Sequence, residues 1–198
     1  MSRKVFDILA SSTGVVAVIV LVIAGGLLTW GHSFVSSNVH DQLAQQQIYF
    51  PPKAAFAHPK AGSEITPSMI PSVSQYAGQQ LLTGAQAKTY ANDFIAVHLS
   101  EMPYHGIYSQ ISAASMANPK NTQLTELKQT AFTGTTLRGL LLEAYAFSTI
   151  GTIMLWGAIA SFIGAIAMSA LVGLGFWHAH RTEADERLLA SKAVPASS

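Results

Sequence analysis

Two long runs of apolar residues stand out along the chain, and a more polar stretch separates them. The first run covers residues 8–31 and the second covers residues 144–177, and neither contains a charged side chain. A membrane-spanning helix needs about 20 predominantly apolar residues, so each run is long enough to cross a bilayer. The pattern predicts two membrane spans joined by a loop of domain size.

The first run has features of a secretory signal, because the basic residues Arg3 and Lys4 precede it. It is longer than the ~7–15 apolar residues of a cleaved signal, however. The residues that follow it offer no clear cleavage site with small side chains. We therefore expect an uncleaved anchor, with residues 1–32 forming the N-terminus and the first transmembrane helix.

Basic residues near the ends of the two runs predict the orientation. Lys and Arg concentrate on the cytoplasmic side of membrane proteins. Here they lie before the first run and after the second, whereas the loop side has few; the flanking ones are Arg3, Lys4, Arg181, Arg187 and Lys192. Both termini are predicted to be cytoplasmic, with residues 33–150 outside. Trp30 and Trp177 are predicted interfacial anchors, since tryptophan favours the membrane–water boundary.

The second run is too long for a single crossing. As a helix it would extend roughly 50 Å, against about 30 Å of hydrocarbon. We expect the span near residues 152–176, within a long helix over residues 135–178 that begins above the membrane. Thr135 or Thr136 is the predicted N-cap of this helix. Residues 179–198 would then form a cytoplasmic tail.

The polar stretch over residues 33–134 is predicted to be an external, mostly helical domain. Thr83 and Gln86 have the spacing of a capping box, so a helix should begin there and end near Glu101, before Pro103. Further helices are predicted over residues 107–116 and 122–130, and no strand is predicted. The fold class is therefore mainly α, with two transmembrane helices flanking this domain.

Residues 50–71 contain five of the eight prolines of the chain. We predict a proline-rich extended segment here, since proline removes a backbone donor and restricts its neighbours. Two interpretations remain open. The segment is either an exposed loop or an arm that lies across a neighbouring subunit.

Composition agrees with a membrane location and excludes several kinds of chemistry. Hydrophobic residues make up 49% of the chain and charged residues 11%, against about 25% charged in soluble domains. Lys and Arg number 11 and Asp and Glu 10, so no basic face for nucleic acid is expected. The chain has no cysteine, which excludes disulfides, thiolate metal sites and a catalytic thiol.

A few polar residues are candidates for chemistry. His98 and Glu101 are three residues apart on a predicted helix, and His105 follows after a turn, which could form a weak two-histidine, one-carboxylate metal site. No recognised metal motif is present, so a packed or capping role is expected for His98. Arg138 and Glu143, beside the second run, are a predicted ion pair or partner contact. We assign no catalytic residue, metal or cofactor.

The second span carries a ridge of small residues, which we call the small-residue ridge. Its members recur every four residues and are Gly157, Ser161, Ala165, Ser169 and Gly173. Small residues let helices approach closely in lipid. The ridge packs either against the first span or against a larger membrane protein or a second copy, and these two alternatives are compatible.

The chain resembles a family of actinobacterial two-span membrane proteins over most of its length. The resemblance rests on residues 5–7 (VFD), 28–31 (LTWG), 41–43 (DQL), 48–52 (IYFPP), 76–80 (YAGQQ), 83–88 (TGAQAK), 94–99 (FIAVHL) and 137–145 (LRGLLLEAY). Members often carry the description aromatic ring-opening dioxygenase. Such dioxygenases need an iron site, and this sequence does not supply one. The resemblance implies a bacterial plasma membrane as the location and no particular reaction.

These features favour a non-enzymatic role. The leading hypothesis is an accessory subunit or assembly factor of a larger membrane complex, for which a respiratory or other oxidoreductase complex would be a suitable host. The alternatives are a membrane-anchored external sensor or ligand-binding protein, a metal enzyme using His98, Glu101 and His105, and a self-contained homo-oligomer. The expected partners are a larger membrane complex or a second copy, together with the lipid bilayer, and no nucleic acid.

Overall fold

The structure, a computed structural model, describes residues 3–59 and 64–181 and is mainly helical. Two long helices dominate it, α1 (Arg3–Gln45) and α6 (Thr122–Arg181). Four shorter helices lie between them: α2 (Ile70–Val73), α3 (Gly84–Thr89), α4 (Ala96–Glu101) and α5 (Tyr108–Ala117). Within the described ranges there is no strand, only an isolated bridge between Tyr49 and Gln80. The predicted mainly α class is confirmed.

The chain separates into two compact units. We call residues 1–31 with 153–198 the paired-helix unit, and residues 32–152 the loop unit. Helices α1 and α6 contribute residues to both of them. Of the predicted tail over residues 179–198, only residues 179–181 are described, as the end of α6; residues 182–198 lie outside the described residues.

In the paired-helix unit, α1 and α6 meet along a seam whose positions alternate spacings of four and three residues. The seam positions are all buried or half-buried: Asp7, Ser11, Gly14, Val18, Leu21, Gly25 and Leu28 on α1, and Met154, Ala158, Ser161, Ala165, Met168, Val172, Gly175 and Ala179 on α6. A mean spacing of 3.5 residues is the repeat of a left-handed coiled coil. The pair therefore packs like a two-stranded coiled coil built partly from small residues.

Outside the seam, the apolar side chains of this unit are exposed. Trp30 is 67% exposed and Ile166 is 72% exposed. Both α1 and α6 contain a stretch long and apolar enough to cross a membrane, and only 11% and 6% of these stretches is buried. A core helix of a soluble domain passes the same test of length and composition but would be mostly buried. The two helices are thus candidate membrane spans.

The loop unit has a hydrophobic core of its own. The core comprises Leu43, Phe50, Ile65, Met69, Val73, Leu81, Ala87, Ala91, Ile95 and Leu141, from α1, α6 and the segments between them. Two extended stretches cross at its edge, where the amide of Phe50 donates to the carbonyl of Gln79 and that of Leu81 to Ile48, both at 2.9 Å. The side chain of Tyr49 points outward, because successive side chains of extended backbone alternate between faces.

The proline-rich segment differs from the extended course predicted for it. Its described residues form short 3₁₀ turns at Lys53–Phe56 and Pro67–Met69, and α2 begins at Ile70. Pro67 is the first residue of its turn, where a missing amide hydrogen costs nothing. Because Phe50, Ile65 and Met69 are buried, these parts of the segment cover the core of their own unit. Residues 60–63 lie outside the described residues.

The helix over residues 84–101 begins and ends where the sequence predicts. The Thr83 side chain accepts from the amide of Gln86 at 3.2 Å, and the Gln86 side chain accepts from the amide of Thr83 at 3.0 Å, which completes the capping box. A π turn (Tyr90–Ile95) connects α3 to α4, which ends at Glu101. Its end is followed by a 3₁₀ segment, Pro103–Gly106, in which Tyr104, His105 and Gly106 have positive φ angles.

The start of α6 corrects the predicted boundary. We expected a helix over residues 122–130 and a separate one capped by Thr135 or Thr136; instead one helix begins at Thr122 and contains both. Asn121 caps it, since its side-chain oxygen accepts from the amide of Leu124 at 3.2 Å. Gly134 does not interrupt the helix. A Cβ atom there would lie 2.9 Å from Leu99, so the missing side chain allows α4 to pack closely.

Candidate functional site: an interhelical groove

A groove of about 340 Å³ lies between the C-terminal part of α1 and the middle of α6, within the loop unit. Its apolar walls include Phe34, Leu140 and Phe147, whose side chains are 48–55% exposed. Its polar groups are those of Asn38, Gln42, Gln46 and Glu143. This is the size of the smaller ligand-binding cavities of proteins, which start at about 300 Å³.

The groove results from the way that two helices share a core. Leu43 of α1 and Leu141 of α6 are almost fully buried in the loop-unit core, at 2% and 1% exposure. The adjacent faces of the same helices line the groove. Asn38, Gln42 and Gln46 are four residues apart, so they form one strip along α1 and its C-terminal turn. The result is a cavity with an amide strip on one wall and mainly apolar side chains on the other.

Among the residues that the structure describes, Glu143 is the one charged residue of the groove lining. The sequence predicted an ion pair with Arg138 as one possibility, and the described residues contain no such pair. Arg138 instead donates to the side-chain oxygen of Asn92 at 3.0 Å. Five residues correspond to roughly 500° of helix rotation, so the two side chains leave α6 about 140° apart. The Nε atom of Arg138 is buried and has no hydrogen-bond partner among the described residues.

A row of five aromatic rings passes through the loop-unit core on the side of α3 and α4. The rings follow one another at centroid distances of 4.6–5.3 Å, in the order Tyr76, Phe50, Tyr90, Phe94 and His98. Burial raises the pKa of the Tyr90 hydroxyl above 10.0, and the nearby carboxylate of Glu64 raises it further. The π turn at Tyr90 places three of these rings on one face of the helix.

The weak metal candidates are not brought together. His98 donates from Nδ1 to the carbonyl of Phe94 at 2.9 Å, and its ring packs on Phe94. His105 contacts the carbonyl of Ser100 at 3.4 Å instead of turning toward His98. No three His, Asp or Glu side chains form a metal-binding group in residues 3–59 and 64–181.

The small-residue ridge is divided between two faces of α6. Ser161 and Ala165 are seam positions, and a Cβ atom at Gly157 would lie 3.2 Å from Leu28. Ser169 is exposed, and no atom of residues 3–59 or 64–181 other than the local backbone of α6 lies within 4 Å of a Cβ placed at Gly173. A four-residue step rotates about 40° past a full turn, so such a ridge drifts around the helix. Because the seam instead follows a mean spacing of 3.5 residues, the last two members of the ridge, Ser169 and Gly173, lie outside it.

Polar contacts at one end of the paired-helix unit were not predicted. Asp7 and His178 form a hydrogen bond of 2.9 Å between their side chains, and Arg181 stacks on the ring of Trp177 at 4.2 Å. Trp177 is 55% exposed, like the other predicted anchor, Trp30. The Asp7 contact could have been predicted from the sequence only by recognising the 3.5-residue repeat of α1. That repeat places the acidic side chain of Asp7 at a seam position.

Comparison with models of protein families, with characterised proteins and with solved structures gave no match for this chain.

Proposed function

We propose that this chain is a non-catalytic accessory subunit or assembly factor of a larger membrane protein complex in a bacterial plasma membrane. The observation that carries the proposal is the exposed apolar surface of the paired-helix unit. Ile166 and Leu174 on α6, and Leu27 on α1, are at least 60% exposed. Lipid or another membrane protein must cover such a surface, because soluble monomers rarely expose large continuous apolar patches.

A second feature of the paired-helix unit supports a role in association with other membrane helices. Two of the five members of the small-residue ridge, Ser169 and Gly173, face away from the seam, where they offer a close approach to another transmembrane helix. A subunit that packs against its host needs such a face and needs no reactive group.

We further propose that both termini are cytoplasmic and that residues 33–150 are extracytoplasmic. The absence of native cysteine makes this simple to test, since single cysteines can be introduced without background. In whole cells, a membrane-impermeant maleimide should label Ser109→Cys and leave His180→Cys unlabelled until the cells are opened. Labelling of His180→Cys in intact cells would contradict the orientation.

The accessory role is tested by purifying the tagged chain from its native cells in a mild detergent. Native mass spectrometry of the product measures the mass of the assembly and identifies its subunits. We expect the chain in stoichiometric ratio with larger membrane subunits. A product containing only this chain, or only its own oligomer, would contradict the proposal.

The groove supports a second candidate function, that of a membrane-anchored ligand-binding or sensor protein. Its volume of about 340 Å³ and its few polar groups are typical of a small-molecule site. This candidate predicts that a specific ligand raises the melting temperature of the purified chain in the absence of other subunits. An accessory subunit without a ligand would show no such shift.

A further inference from the structure

The groove of the loop unit selects one class of small molecule by its charge. We propose that it binds an amphiphilic amine, with the ammonium group at Glu143 and the apolar tail against the aromatic end of the groove. The inference concerns the groove alone and does not depend on the accessory role. It names the ligand class that the second candidate function would require.

The carboxylate of Glu143 decides the charge of the ligand. No Lys, Arg or His side chain lines the groove, and Glu143 forms no ion pair with the described residues. A neutral ligand that filled the cavity would remove water from this carboxylate and return nothing, which is unfavourable. An ammonium group replaces the lost water with charge-assisted hydrogen bonds, which are roughly twice as strong as neutral ones.

The amide strip supplies further acceptors for the same group. An ammonium group has three hydrogen-bond donors and no acceptor, so it needs oxygens around it. The NH₂ group of Asn38 already donates to the carbonyl of Phe34 at 2.9 Å, which leaves its side-chain oxygen as the acceptor. Gln42 and Gln46 continue the strip at the same wall of the groove. Residues 38–46 extend about 12 Å along the helix, so an ammonium group at Glu143 would take its remaining acceptors from one part of this strip.

The apolar wall accounts for the tail of the ligand. Phe147 is 48% exposed and lies four residues after Glu143 on α6, so a hydrocarbon chain laid over it would bury apolar surface, which is favourable. A small polar amine would leave this apolar wall in contact with water. The ligand therefore also needs an apolar tail.

Other ligand classes fit the groove poorly. A divalent cation needs several hard oxygen ligands, usually including more than one carboxylate, and the lining provides one. An anion would meet Glu143 without any basic residue to offset the repulsion. The amphiphilic amine is the one class in which charge, acceptor number and apolar contact all match the lining.

The test uses the full chain purified in detergent, with octylamine and octanol as probes of equal tail length. Native mass spectrometry counts bound probe molecules across a titration. We expect one octylamine to bind saturably, with Glu143→Gln weakening it by about threefold to tenfold, as the loss of a charge-assisted contact predicts. Because both proteins are measured with the same probe, partitioning into the detergent cancels.

Two further variants make the result specific. Glu126→Gln removes an exposed carboxylate elsewhere on α6 and should leave octylamine binding unchanged. Gln42→Trp fills the groove from an exposed position and should remove the binding of both probes. Equal affinity for octylamine and octanol, or octylamine binding that survives Glu143→Gln unchanged, would overturn the proposal. This outcome does not depend on whether host subunits co-purify.

Discussion

The side chains of Asp7 and His178 meet at 2.9 Å, although 171 residues separate them along the chain. They join the second turn of α1 to the last turn of α6. The Asp7 side chain is 20% exposed and that of His178 is 47% exposed, so water screens the contact. The pair therefore aligns the ends of the two helices more than it stabilises them.

We expect a small measurable coupling between these two residues. A partly exposed pair contributes about 0.2–1 kcal/mol. A double-mutant cycle with Asp7→Ala and His178→Ala, each of which removes the hydrogen bond, should give a coupling energy in that range. Thermal unfolding in detergent measures it, and the cycle is needed because His178 makes other interactions as well. A coupling energy indistinguishable from zero would mean that the contact does not hold the helix ends together.

The glycines of the seam should tolerate no side chain. A Cβ atom at Gly25 would lie 2.9 Å from the ring of Phe162, and one at Gly14 would collide with Val172. Gly14→Leu and Gly25→Leu should each reduce stability by about 1–3 kcal/mol, as overpacking does.

Gly26 and Gly173 are the matched controls for these glycines. Within the described part of the chain, no atom beyond the local backbone of the same helix lies within 4 Å of a Cβ placed at either position, so Gly26→Leu and Gly173→Leu should be neutral or slightly stabilising. Melting temperatures in the same detergent compare the four variants. If Gly26→Leu and Gly25→Leu destabilise equally, the seam has a different register.

The start of α6 can be tested with two substitutions. Asn121 caps the helix through its bond to the amide of Leu124, so Asn121→Ala should cost about 1 kcal/mol. Thr135, the N-cap expected from the sequence, lies inside the helix with an exposed side chain, so Thr135→Ala should be neutral or stabilising. Chemical denaturation followed by circular dichroism measures both. The opposite order of effects would restore the boundary at residue 135.

The stability of the loop unit should fall at alkaline pH because of Tyr90. Its folded-state pKa is raised above 10.0 by burial and by Glu64, so folding favours the neutral phenol. This contribution is complete below pH 10 and is lost as the pH rises through the folded-state pKa.

Ultraviolet titration of the tyrosinates measures this effect. Tyr90→Phe should remove the step that titrates highest, and Glu64→Gln should move that step to lower pH. Glu126→Gln is the control. It removes an exposed carboxylate of α6 that does not contribute to the pKa shift of Tyr90, so the step should stay in place. A titration curve unaffected by Tyr90→Phe would contradict the burial of this hydroxyl.

The features of the fold that the sequence predicts correctly depend on local signals. The capping box at Thr83 and the end of α4 before Pro103 depend on residues within one turn of each other, so the sequence specifies them directly. The two apolar helices follow from uninterrupted hydrophobic runs. These features require no knowledge of what packs against them.

The sequence by itself determined the mainly helical class, the two long apolar helices and the helix over residues 84–101. Only the tertiary structure decided that α6 runs unbroken from Thr122 through Gly134, where Leu99 occupies the space that a side chain would fill. It also decided that Arg138 contacts Asn92 while Glu143 faces the groove. These contacts depend on which helix faces pack together, and residues far apart along the chain determine that packing.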